Sequence, residues 1–107
     1  MPAYPTLEGV PFATPDCAPV IKPVAGGTTA LAVGATSTQS AVIGAVLVRL
    51  VATCDCHIVR GPAPVALTTS MYLPANIPEC IAIDVTDRLA VIAEGSQTGT
   101  LYITPAA

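Results

Sequence analysis

The stretch Ala45-Val46-Leu47-Val48-Arg49-Leu50-Val51-Ala52 reads as a β-strand, and the character of its two faces decides what kind of protein holds it. Alternation with a period of two puts Val46, Val48, Leu50 and Ala52 on one side and Leu47, Arg49 and Val51 on the other. Both sides are apolar, whereas a strand in a sheet with one solvated face alternates apolar with polar. This strand is therefore expected to be central and covered by the chain's own N-terminal arm, or to lie at a subunit interface.

Outward from it, short apolar or alternating runs recur at 30–33, 39–43, 56–60, 65–68, 79–85, 89–93 and 100–104. The breaks between them carry turn chemistry: Gly34, Gly44, Gly61 with Pro62 and Pro64, Pro74 with Asn76 and Pro78, Asp87, and Gly95 to Gly99. Residues 89–93 repeat the two-sided character, with Leu89 and Val91 opposed by Ala90 and Ile92. The last run alternates cleanly, Leu101 and Ile103 inward and Thr100, Tyr102 and Thr104 outward. No segment is long and periodic enough for a helix. Short strands at close spacing predict an all-β protein, a small antiparallel β-sandwich or a barrel-like, jelly-roll-like domain, over residues 28–107.

Residues 1–27 differ. Six of the chain's eleven prolines, Pro2, Pro5, Pro11, Pro15, Pro19 and Pro23, fall there and withdraw backbone donors from any helix or ladder. This is an extended Pro-rich N-terminal arm, ending at a Gly26-Gly27 hinge. Its Leu7, Val10, Phe12, Val20 and Ile21 are too apolar for a solvated linker, so the arm is expected to lie on its own domain or on a neighbour.

Composition narrows the function. Of 107 residues 52% are hydrophobic, yet the aromatics are only Tyr4, Phe12, Tyr72 and Tyr102, so Val, Ile, Leu and Ala must fill the core. Charged residues make up 10%, against roughly 25% in an ordinary soluble domain. With a mean hydropathy of +0.68, a chain this small has too little polar surface to cover itself, and partner proteins are expected to cover the rest. A homo-oligomer, dimer or trimer, fits that need. The net charge of −3, with only Lys22, Arg49, Arg60 and Arg88 positive, offers no stripe for phosphates and argues against nucleic acid. The apolar runs are too short or too interrupted to span a bilayer, and residues 1–11 lack the pattern of a signal peptide, so no membrane role and a cytoplasmic start are expected.

Little in the chain carries chemistry. Cys54, Cys56 and His57 are closely spaced, but zinc knuckles use C-x2-C with a matching distant pair, and Cys17 and Cys80 sit on unrelated segments. No metal site is expected, and Cys54 and Cys56 are poorly placed to bridge each other. A long-range bridge from Cys17 or Cys80 to either requires an oxidising setting. The cysteines read as small buried hydrophobes and His57 as a satisfied strand residue. The carboxylates Glu8, Asp16, Asp55, Glu79, Asp84, Asp87 and Glu94 are dispersed; Glu79, Asp84 and Asp87 match no calcium loop and read as solubilising edge guards. With one His, no nucleophile elbow and no phosphate loop, no catalytic, cofactor-binding or metal residues are assigned. A small metal-dependent or hydrolytic enzyme is the competing reading from another class.

Residues 46–104 resemble a group of small tailed-phage virion proteins, often capsid decoration or cement proteins with a β-sandwich core. The residues that carry the resemblance are Val48-Arg49-Leu50-Val51, Cys56-His57-Ile58-Val59, residues 68–79 (TTSMYLPANIPE), Asp87-Arg88-Leu89-Ala90-Val91-Ile92, and the ending Gly99-Thr100-Leu101-Tyr102-Ile103-Thr104. The resemblance implies a non-enzymatic protein on the capsid surface of a virion assembled in the host cytoplasm. There it would bind the major capsid protein or other virion subunits; a tail or fibre position is the alternative. The Pro-rich arm has no match in that group.

Overall fold

The computed structural model describes residues 21–107. Among these there is no helix, and the strands in chain order are β1 (Thr29–Val33), β2 (Thr38–Gln39), β3 (Leu47–Ala52), β4 (Cys56–Gly61), β5 (Met71–Leu73), β6 (Glu79–Ala82), β7 (Arg88–Ala93) and β8 (Gly99–Pro105). They form two four-stranded sheets, β1-β8-β3-β6 and β2-β7-β4-β5. Every pairing is antiparallel. The order has a simple origin. First pairs with last, second with seventh, third with sixth and fourth with fifth, as in one long hairpin, and the hairpin is then rolled so that β8 also meets β3 and β7 meets β4. That is a jelly roll, the architecture expected from the spacing of the strands.

Alternation supplies the core between the sheets. Val48, Leu50 and Ala52 of β3 are fully buried beside Leu101 and Ile103 of the neighbouring β8, and cluster with Leu89 and Val91 of β7 and Ile58 of β4 from the other sheet. Each buried aliphatic side chain contributes about 2 kcal/mol. Among the described residues, nothing seals the opposite side of β3. Leu47 and Val51 are half-buried and Arg49 is exposed, and Val46, read as part of the strand on the same side as Val48 and Leu50, lies outside the strand and faces solvent.

The two-sidedness of β7 has a local cause. Ala90, on its outer side, is fully buried because the β4–β5 loop lies over the outer face of that sheet. Ala66 of the loop is itself buried, and its N–H donates to Ser37 Oγ, 2.8 Å away, just before β2. Residues 65–68, read as a strand, belong to this loop. Their backbone is committed locally: Leu67 N donates to Ser70 Oγ at 3.1 Å and Ser70 N to Leu67 O at 2.9 Å. The strand in this region is β5, which pairs with β4 through His57↔Tyr72. Residues 39–43 and 79–85 likewise contribute shorter strands than their apolar runs imply, β2 and β6.

The polypeptide enters the domain beside its own C-terminus, where Pro23 bridges Ala106 and Ala107 N donates to Lys22 O. Most of the expected arm lies outside the described residues. The strand order leaves two ends. One carries these termini and the loops after β2, β4 and β6, and the other carries the loops after β1, β3, β5 and β7.

Candidate functional site

At the first end, two loops expose valines. Val42 lies in the β2–β3 loop, Val46 just before β3 and Val85 in the β6–β7 loop, at 50%, 61% and 56% exposure. Backbone hydrogen bonds join the loops that carry them, Ile43 N to Asp87 O and Ile83 N to Val46 O, so the valines ride on a fixed frame. Val24, where the chain enters beside β8, is a fourth exposed valine at this end.

One buried carboxylate organises that frame. Asp87 is 2% exposed, accepts the Asp84 N–H at 2.9 Å and takes the Arg60 guanidinium at 2.8 Å. The Asp84 N–H chiefly, and Arg60 after it, hold the Asp87 carboxyl below the usual carboxylate range. Asp84 adds a longer contact to Arg60 at 3.5 Å. Asp87 is therefore no edge guard. It is the centre of the turn between β6 and β7, and that turn is what shortens β6.

The second end is polar. Thr53 Oγ1 accepts the Thr100 N–H at 2.9 Å, and Asp55 Oδ1 accepts the Ala75 N–H at 2.8 Å. The Ala75 bond first, then Gln97 and the Tyr72 hydroxyl, hold the Asp55 carboxyl down. Ile77 is the exposed large aliphatic here.

Next to this end, on the outer face of β4, His57 is 7% exposed and has both ring nitrogens engaged. Nδ1 lies 3.0 Å from Ser70 O, and Nε2 lies 2.6 Å from Glu94 Oε1. The ring tilts against Tyr72 with centroids 5.4 Å apart. The hydrogen bond to Glu94 and then that to Ser70 raise the His57 pKa above its ordinary value. With both nitrogens occupied, this imidazole presents no lone pair to a metal or a substrate.

Among the described residues, those weighed as a zinc set do not converge. Period two turns Cys56 into the core and His57 away from it, and among the described residues no group of three metal-binding side chains comes together. Cys54 and Cys56 are free, buried thiols. Burial raises both, Cys56 to about 11, so they stay protonated and unreactive at neutral pH. Cys80 is disulfide-bonded, and Cys17 lies outside the described residues. Sequence reasoning missed the His57–Glu94 pair. The clue lies in the register: His57 sits opposite Ile92, and Glu94 follows two residues on along the same face.

A groove of about 320 Å³ opens between the edge strands β5 and β6, walled by Ile58, Met71, Ile81 and Ala82 with Arg60. Its lining is mostly apolar, without convergent polar groups to orient a small molecule.

Comparison with protein-family models, with curated proteins and with solved structures finds no match to this chain.

Proposed function

We propose that this protein is a structural subunit of a phage-like virion, a capsid decoration or cement protein that reinforces the head by packing against other virion proteins. The observation that carries the reading is the first end of the jelly roll, where Val42, Val46 and Val85 stand exposed on loops tied to one another. Apolar side chains grouped on a rigid frame, in a chain with 10% charged residues, mark a surface that another protein covers. Three further supports are independent of it. Residues 46–104 resemble small virion proteins, the jelly roll is a frequent capsid architecture, and the imidazole and thiols are engaged or inert. The partner is the major capsid protein or another virion subunit, and self-association as a dimer or trimer adds to the covered area.

Imaging of a particle that contains the protein tests this. Density for the jelly roll is expected on the outer capsid, with the loops bearing Val46 and Val85 against the shell. Density in the tail would replace cement by a tail component, and absence from the particle would refute the virion reading altogether.

A further inference from the structure

The connection 62–70 between β4 and β5 is a strap across the outer face of the β2-β7-β4-β5 sheet. Its middle is held by the bond from Ala66 N to Ser37 Oγ, 2.8 Å, and by burial of Ala66. Its far end is held by His57, whose Nδ1 is 3.0 Å from Ser70 O. Val65 and Leu67 point outward from it, 66% and 58% exposed.

His57 faces two acceptors, a backbone carbonyl and a carboxylate. A neutral imidazole has one N–H, so it satisfies one of them and aims a lone pair at the other. Only the imidazolium donates to both. When the second proton leaves, the remaining N–H goes to the better acceptor. A charge-assisted bond to a carboxylate is roughly twice as strong as one to a neutral carbonyl. The proton then resides on Nε2 toward Glu94, and the Ser70 carbonyl loses its donor.

We propose that the 62–70 strap is proton-held: the doubly protonated His57 pins Ser70 to β4 while bound to Glu94, and loss of one proton frees the strap's Ser70 end. The groups facing His57 are Glu94 beyond β7, Tyr72 on β5 and the neutral Ile92 across the ladder on β7. Asp55, in the β3–β4 turn, acts on Tyr72. Glu94 supplies the charge that favours the imidazolium. Because the bond to Ser70 adds to the rise in the His57 pKa, the strap is held while the ring is doubly protonated and is released as pH rises through the folded value. What moves is the piece of surface that carries Val65 and Leu67.

Amide hydrogen exchange on the full chain tests this at pH 5.5 and 8.5, after correction for the intrinsic rate. Protection at Ala66, Leu67 and Ser70 is expected to fall at the higher pH, by about tenfold for each unit by which the His57 pKa with the strap closed exceeds that with the strap open. Glu94→Gln provides the control. The carboxamide introduced there donates to Nε2, so a neutral ring keeps its N–H on Nδ1 for Ser70, and the pH dependence should vanish. Nitrogen NMR of the ring should show both nitrogens protonated at pH 5.5, and only Nε2 at 8.5 in the unsubstituted protein. Equal protection at both pH values, a fall undiminished in Glu94→Gln, or a neutral ring protonated on Nδ1 beside Glu94 would each overturn the proposal.

Discussion

The two ends of the jelly roll are both fastened by side chains and backbone bonds, yet they differ in what they leave exposed. At the polar end, side chains do the fastening. Thr53 takes the Thr100 N–H, Asp55 takes the Ala75 N–H, and Gln97 Oε1 takes the Asp55 N–H at 3.2 Å. At the valine end the Arg60–Asp87–Asp84 contacts and a few backbone bonds fix the frame, and Val42, Val46 and Val85 are left in solvent. The polar end satisfies its own polar groups and exposes one large aliphatic, Ile77. The valine end is tied by hydrogen bonds and still exposes Val42, Val46 and Val85, and that contrast underlies the functional proposal.

Substitutions can break or sharpen the contrast. The largest effect is expected at Val48, two residues into β3 from Val46 and fully buried. Val48→Asp places an unpaired charge in the core and should cost about 4 kcal/mol, enough to unfold much of a small domain. Chemical denaturation reads it, and a midpoint close to that of the unsubstituted protein would show the core to be misassigned.

Next comes Gly99, at the start of β8 on the polar end. A Cβ there would lie 2.5 Å from Thr53 Oγ1 and 2.9 Å from Cys54 Sγ, both held by packing and hydrogen bonding. Gly99→Ala should destabilise by about 2 kcal/mol. Paired with Thr53→Ser, which keeps the hydroxyl, the cost should persist; if it disappears, the crowding arises from the threonine methyl instead.

A smaller effect concerns pH. The folded state holds the Asp87 carboxyl below its ordinary value of 3.8, so the stability it confers is fully present above that value. It is lost as pH falls through the lower folded value. Thermal unfolding between pH 6 and 2 should therefore show a steeper acid decline for the natural protein than for Asp87→Asn. Identical slopes would mean that Asp87 does not organise the valine end.

Much of the fold is legible in the sequence, because burial follows a period of two in β3 and β8. Leu101 and Ile103 point inward, as their alternation with Thr100, Tyr102 and Thr104 requires. What misleads is apolarity without a ladder. Residues 65–68 look like a strand because Val65, Ala66 and Leu67 are adjacent, but Ala66 packs down while its neighbours face solvent. Nothing in a linear pattern says that a loop has folded back over a sheet. Val46 misleads in the same way, since it shares the parity of Val48 and Leu50 yet precedes the strand. The His57–Glu94 pair was hidden for a different reason: the partners are 37 residues apart and meet only through the β4–β7 register. The divergence of Cys56 from His57 was legible, since adjacent residues on one strand must face opposite ways.

The most direct measurement is co-sedimentation of the doubly substituted Val46→Asp/Val85→Asp protein with particles lacking their own copy. Both positions are exposed, so each change should alter folding stability by less than about 0.5 kcal/mol while placing charge in the surface proposed to meet the shell. The account predicts a protein with unchanged thermal unfolding that stays in the supernatant while the natural protein pellets with the particles. Pelleting of both to the same extent would contradict it.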